Sequence, residues 1–334
     1  MRQPRKTLPR QPPPRNSWRC HAVSCPTWPV LWVESTAPGR SRPRQQSWPN
    51  RLRLSTPAVQ PRRPSMPQRR LGRSGLLVDF INPVKRALQE GQVAWGVALP
   101  DCSDILAKLS VDTGPEFLWI DLEHRAYGPN EVRWVPIICR QADVSPMIRV
   151  PGLDSNWIKK ALDIGASTIM VPQIDTAEQA KLAVEYCKYP PEGSRGVSPL
   201  WPMMMNVDWS DYLPVANSET AVIVQIESPE GLDNIDEIAA VEGVDIVFAG
   251  PQDIAASMGV IGQPRHPDVV EILNGFPERV AQYGKPAGIT DVGFEHAARW
   301  RDVGYRFINI GTIAHLGLDG ATDAFERLRS GQGG

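Results

Sequence analysis

The chain has 334 residues, 42% hydrophobic and 22% charged, the proportions of an ordinary globular protein, which exclude a collagen-like or coiled-coil chain. Its formal net charge of -1 hides a split, because 16 of the 36 Lys and Arg residues but only one of the 37 acids fall in residues 1–75, giving +15 there and -16 in the rest. No run reaches the roughly 18 consecutive apolar residues of a membrane-crossing helix, which excludes such a span.

Residues 1–75 hold 14 of the 33 prolines, and Pro12, Pro13, Pro14, Pro61, Pro64 and Pro67 break any helix and remove ladder donors. Apolar residues there are sparse and aperiodic, so the segment is predicted to be a disordered, basic Arg/Pro-rich extension. The favoured reading is a dispensable extension, with Met66 as an alternative start. Organellar import ranks second, since the prolines oppose the amphipathic helix of a transit peptide, and attraction to nucleic acid ranks last. The expected location is the cytoplasm. Cys20, Cys25, Cys102, Cys139 and Cys187 match no common zinc spacing and are expected to be free thiols.

From residue 76 to 334 the pattern changes. A lead-in helix is predicted over Val78–Glu90. Short runs rich in Val, Ile or Phe then recur at Ala94–Leu99, Phe117–Asp121, Ser145–Arg149, Thr168–Val171, Ala221–Glu227, Asp245–Ala249, Pro286–Ile289 and Phe307–Ile310. Each is apolar on both faces, as a buried parallel strand is. Helices are predicted between them over Asn130–Ala142, Asn156–Ile164, Thr176–Tyr186, Glu230–Val241, Pro267–Tyr283, Val292–Val303 and Ala314–Arg329, with Thr176 and Gln179 at capping-box spacing. Eight strands alternating with helices over about 250 residues predict an α/β fold, a (β/α)8 TIM barrel. An open doubly wound sheet is the runner-up, and neither a G-x-G-x-x-G turn nor a P-loop is present to support it.

In such a barrel chemistry sits at the carboxyl ends of the strands. Those ends carry Asp121-Leu122-Glu123-His124, Arg149, Gln225-Ile226-Glu227 and Gly250-Pro251-Gln252-Asp253. Glu227 and Asp253 come from successive strands, and two carboxylates completed by water suit Mg²⁺ or Mn²⁺ better than zinc. Arg149 offers a fixed cation for charge developing on a substrate oxygen. His124 is of the type that exchanges protons near neutral pH. The duller alternatives are a structural network of Asp121 and Glu227 with Arg149, an N-cap role for Asp253 on a helix at Ile254–Met258, and a plain surface His124. Asp163 follows a helix and reads as solvent-facing. No lysine falls at a strand's carboxyl end, which disfavours Schiff-base chemistry.

Taken in order, Ile120-Asp121-Leu122-Glu123-His124, Arg149-Val150-Pro151, Leu162-Asp163-Ile164-Gly165-Ala166 with Val171-Pro172-Gln173, Tyr189-Pro190-Pro191-Glu192-Gly193-Ser194-Arg195-Gly196, Gln225-Ile226-Glu227-Ser228 and Gly250-Pro251-Gln252-Asp253-Ile254 resemble the motifs of the HpcH/HpaI aldolases. These are class II, metal-dependent pyruvate aldolases. The resemblance spans about Val93 to Arg329. It implies a divalent metal (Mg²⁺, Mn²⁺ or Co²⁺) on Glu227 and Asp253, and pyruvate bound by Arg149, Gln225, Gln252 and Asp253. It implies an acid/base pair of His124 positioned by Asp163, with Asp121 supporting the site. It further implies cleavage of a 4-hydroxy-2-oxo acid to pyruvate and an aldehyde, and a homo-oligomer, a hexamer formed by helix exchange. The rivals are a citrate lyase β or malyl-CoA type lyase, for which no basic CoA patch is evident, and a non-catalytic barrel that binds a 2-oxo acid. Gln252 stands where a small residue is common, and Trp201-Pro202-Met203-Met204-Met205 departs from the usual sequence after the Arg195-Gly196 loop.

Overall fold

The computed structural model describes residues 80–330. The expectations for residues 1–75, with Cys20, Cys25 and Met66, and for Val78 and Asp79 lie outside the described residues; the lead-in helix starts at Pro83, later than expected, because Asn82 caps it. Within 80–330, eight parallel strands close into a barrel in chain order. They are β1 (Ala94–Ala98), β2 (Phe117–Asp121), β3 (Ser145–Arg149), β4 (Thr168–Val171), β5 (Ala221–Ile226), β6 (Ile246–Ala249), β7 (Ala287–Thr290) and β8 (Phe307–Thr312). No strand end departs from its expected position by more than two residues. The fold is a (β/α)8 barrel.

Alternation along each strand divides the core into two layers. On β2, Leu118 and Ile120 pack outward with the helices, while Phe117 and Trp119 point into the barrel. The interior is filled by Phe117, Trp119, Met147, Met170, Ile223, Ile246, Phe248 and Phe307. Val84 and Ala87 of the helix Pro83–Gln89 pack on the same cluster. Asn82 caps that helix and donates from Nδ2 to the Ser167 carbonyl at 2.8 Å, tying it to the sheet. Glycine makes room for the rings. A Cβ at Gly96 would stand 2.2 Å from the Phe117 ring, which stacks on Phe307 at 4.0 Å between centroids.

The helices depart from expectation where proline intervenes. The stretch read as one helix over Asn130–Ala142 is two, Pro129–Val132 and Val135–Gln141. In a continuous helix the ring of Pro136 would collide with the carbonyl of Val132. Glu230–Val241 is also split, at Asn234 and without a proline at the break, into Pro229–Asp233 and Ile235–Ala239. The helices Asp104–Val111, Trp201–Met204 and Trp209–Glu219 were not expected. The last contains Pro214, which obscures its periodicity. The helix after β6 begins at Pro251, earlier than expected. Cys102, Cys139 and Cys187 are buried free thiols. The last helix, Ile313–Ser330, buries none of its residues and leaves Leu318, Phe325 and Leu328 exposed. Among the described residues no helix is long and apolar enough to cross a membrane.

Because the Phe117 ring cannot retreat from Phe307, Gly96→Ala is expected to lower unfolding stability by about 1–3 kcal/mol, the cost of overpacking a filled core. Urea denaturation of the purified variant measures it.

Candidate active site

Register decides which polar side chains meet at the strand ends. Asp121 and Arg149 are direct partners across β2 and β3. Arg149 donates from Nε to Asp121 Oδ1 at 3.0 Å and from Nη2 to Oδ2 at 2.8 Å. Its Nη1 lies 3.0 Å from Glu123 Oε2. The guanidinium also lies 5.0 Å from the centre of the Trp119 ring. Two of its five N–H groups thus hydrogen-bond Asp121, and the Nη1 contact to Glu123 is an ion pair only, because Glu123 Oε2 has no hydrogen-bond partner. Burial would raise the Asp121 carboxyl, but Arg149 and the backbone N–H groups of Glu123 and His124 outweigh it and hold the group below the usual carboxylate range. His124 follows on the same turn, its Nε2 3.6 Å from Glu123 Oε2 and its side chain 60% exposed.

Glu227 follows β5 and is buried. Its Oε1 accepts the Gln173 backbone N–H at 3.0 Å, and its Oε2 accepts from the Gln225 side-chain amide. The chain leaving β6 passes close over it, so that a Cβ at Gly250 would stand 2.7 Å from Glu227 Oε2 and 2.8 Å from its Cβ. Only glycine fits there. The helix Pro251–Ser257 then places Gln252 and Asp253 in its first turn, with Gly250 as N-cap. The N-cap alternative for Asp253 is therefore wrong, because the helix starts before it.

Among the described residues no cationic side chain forms an ion pair with Glu227. Burial first, and then the charges of Asp253 and Glu123, push its carboxyl up to about 7. Burial also raises Glu123 against the pull of Arg149 and His124, with Asp121 and Asp253 adding to the rise. Glu123, Gln173, Asp175, Glu227, Ser228 and Asp253 line one cavity of about 290 Å³. A second, of about 280 Å³, is lined by Asp121, Arg149, Gln225, Gln252 and residues deeper in the barrel. His124 and Asp253 line both. Among the described residues no three His, Cys, Asp or Glu side chains group as metal ligands. The donor set on offer is two hard carboxylates that repel each other across a cavity. That chemistry fits a hard dication whose remaining positions go to water and substrate oxygens.

One expected pairing is absent from the chain. Asp163 ends the helix Ser155–Asp163, which starts just after the carboxyl end of β3 and runs back toward the opposite face of the barrel. There it accepts from Arg195 Nη2 at 2.8 Å. Within one chain Asp163 does not position His124. Glu123 stands beside His124 instead. The structural-network alternative holds for Asp121, which pairs with Arg149, and fails for Glu227, which does not. The structure also brings Trp119, Arg125, Thr290, Asn309 and His315 to the second cavity. Nothing local marks the strand residues Trp119, Thr290 and Asn309 as facing inward near the mouth, and Arg125 and His315 lie in a loop and a helix that only the closed barrel brings there.

The family model for HpcH/HpaI aldolase/citrate lyase matches residues 98–319. The hydroxypyruvate/pyruvate aldolase of Roseobacter denitrificans is 40% identical over 236 residues, covering 69% of this chain and 90% of that protein. The 4-hydroxy-2-oxovalerate aldolase of Novosphingobium aromaticivorans is 36% identical over 261 residues, covering 76% and 98%. Among solved structures, an HpcH/HpaI aldolase/citrate lyase family protein from Burkholderia cenocepacia superposes with a TM-score of 0.69 at 34% identity, covering 74% of this chain and 99% of that one. With its barrel, its motifs and these likenesses, the chain belongs to the HpcH/HpaI aldolase/citrate lyase family and is an enzyme of the lyase class.

Proposed function

We propose that the protein is a metal-dependent aldehyde-lyase that cleaves, or forms, a C–C bond of a 4-hydroxy-2-oxo acid, giving pyruvate or a close analogue plus an aldehyde. One observation carries this reading. Glu227 and Asp253 face a common cavity with their repulsion uncompensated, beside an arginine that two other acids hold rigid. The names of the relatives, a hydroxypyruvate/pyruvate aldolase and a 4-hydroxy-2-oxovalerate aldolase, point to the same chemistry.

In this reading Glu227 and Asp253 hold a divalent cation such as Mg²⁺, Mn²⁺ or Co²⁺. When bound, it supplies Lewis-acid polarisation of the 2-oxo group, which makes C3 more acidic. The N–H groups of Arg149 that Asp121 does not take bind the 2-oxo oxygen and stabilise the charge that grows there. Asp121 and Glu123 fix the guanidinium so that little reorganisation is needed. The backbone N–H groups of Gln252 and Asp253 take the carboxylate, and Gln225 borders the same space. His124, exposed at the mouth, takes the proton of the 4-hydroxyl, so that in cleavage the C3–C4 bond breaks, the aldehyde departs, and the enolate left behind gains a proton at C3 to become the keto acid.

The protein is also proposed to be a homo-oligomer, a hexamer by family resemblance. The apolar face of Ile313–Ser330 supports this, because Leu318, Phe325 and Leu328 are left exposed by the described residues. Any partnership of Asp163 with His124 then joins two copies.

Chelation with EDTA is expected to abolish pyruvate release, and Mg²⁺, Mn²⁺ or Co²⁺ to restore it. Glu227→Ala is expected to lose roughly a hundredfold or more even with metal added, and His124→Ala roughly 100- to 10,000-fold in cleavage. Full activity in either variant would overturn its residue's role. Glu227 also sets a pH dependence in the metal-free protein. Its folded-state carboxyl titrates near 7 against an ordinary 4.5, so the folded state holds this proton more tightly. Its contribution is therefore lost as pH rises from about 4.5 through 7. Glu227→Gln removes the charge, and the Gln225 amide can turn its unpaired Oε1 toward the new N–H group. In urea denaturation with EDTA, the variant is expected to exceed the parent by up to about 3 kcal/mol at pH 8, the gap narrowing toward pH 5.

A further inference from the structure

The loop that follows β4 walls a part of the site whose side chains keto-acid binding does not engage. Arg149, Gln225 and Gln252 line only the 280 Å³ cavity, whereas Gln173, Asp175 and Ser228 line only the 290 Å³ one. His124 and Asp253 stand where the two meet, since they line both.

Gln173 is unusual in its backbone. Among the described residues three other than glycine have positive φ, namely Asp143 at 57°, Gln173 at 56° and Asn206 at 54°. Asp and Asn visit this left-handed region because their short polar side chains hydrogen-bond locally; glutamine has no such compensation, and glycine would hold the same turn at less cost. Strained positions of this kind gather at functional sites. The turn aims the Gln173 N–H at Glu227 Oε1, 3.0 Å away, and the residue stays exposed on the cavity wall, within reach of a ligand there.

The wall is fixed and negative. Ser228 Oγ donates to Asp175 Oδ1, the Asp175 N–H donates to Gln179 Oε1 at 2.6 Å, and Asn234 Nδ2 donates to the Asp175 carbonyl at 2.8 Å. Among the described residues no Lys or Arg lines this cavity. Arg149 answers Glu123, and a dication on Glu227 and Asp253 would answer those two, which leaves Asp175 without a counter-charge in the cavity.

Given the proposed binding of a 2-oxo acid by Glu227, Asp253 and Arg149, on which this assignment rests, C3 lies on the Arg149 side. The aldehyde carbon that becomes C4 has to meet both C3 and His124, at the junction of the cavities. The rest of the aldehyde then extends into the 290 Å³ cavity, against the loop after β4. We propose that Gln173 is a specificity-determining residue that hydrogen-bonds a hydroxyl group on the aldehyde, and that Asp175 turns away aldehydes bearing a carboxylate or phosphate. The amide offers a hydroxyl both a donor and an acceptor. It could also donate to an anion, but Asp175 repels one in a partly buried space where screening is weak.

The test measures kcat/KM for condensation of four aldehydes with pyruvate on the full chain with Mg²⁺, each referred to its unhydrated fraction. Glycolaldehyde and propionaldehyde match in size and differ by the hydroxyl. Pentanal and succinic semialdehyde are similar in length and differ by the carboxylate. The unaltered chain is expected to favour glycolaldehyde over propionaldehyde roughly tenfold, about one hydrogen bond's contribution. It is expected to favour pentanal over succinic semialdehyde roughly tenfold or more, through like-charge repulsion. Gln173→Gly keeps the N–H to Glu227 and suits the left-handed turn, and is expected to lower the first ratio roughly tenfold. Asp175→Asn can still accept from Ser228, and is expected to lower the second roughly tenfold. Because each ratio is taken on one preparation, partial misfolding or metal loss cancels from it. Either preference absent or reversed in the unaltered chain, or unchanged in its own variant, overturns the assignment, as does turnover of none of the four aldehydes. Pyruvate binding by calorimetry then leaves the 2-oxo acid reading standing, and failure of pyruvate to bind the unaltered chain overturns both.

Discussion

Mutual repulsion among Glu123, Glu227 and Asp253 is the constraint on which the site depends. Arg149 answers Glu123 and Asp121. Among the described residues Glu227 has only an amide and a backbone N–H. A buried carboxylate so placed either takes up a proton or takes up a cation, and the protein leaves both choices open near neutral pH. The barrel can hold such a group because the strands bearing it are pinned elsewhere. β5 and β6 are locked by an apolar layer below and an apolar layer outside, so the repulsion does not open the sheet.

The same alternation that fills the core also builds the chemistry. Along β2 the inward residues run Phe117, Trp119, Asp121, and along β8 they run Phe307, Asn309, Gly311. The deepest layer is aromatic, the next mixes an indole with amides, and the rim is charged. Polarity rises toward the mouth where solvent and substrate enter, and the buried rings beneath keep the rim side chains from collapsing inward. Gly250 has a related role. Its missing Cβ lets the β6 chain close over Glu227, which brings Asp253 to the same cavity.

Much of the barrel was legible in the sequence, because buried parallel strands are apolar on both faces and stand out as short Val- and Ile-rich runs. Asp121, Arg149 and Glu227 were legible for a related reason, since each interrupts the end of such a run. Helix continuity was not, because Pro136 and Pro214 act in opposite ways in this fold, one splitting a helix and the other sitting within one. Partnership was also hidden. Asp163 lies in a motif that implies a role with His124, yet the direction of its helix gives it to Arg195. Trp119 and Asn309 looked like strand filler, and only the register and the closed sheet reveal that they share a cavity.

Anomalous diffraction from crystals grown with Mn²⁺ tests the central claim most directly. The account predicts one strong peak per chain within ligation distance, about 2.0–2.6 Å, of carboxylate oxygens from both Glu227 and Asp253. A peak bound elsewhere, or none at this rim at saturating Mn²⁺, would contradict it.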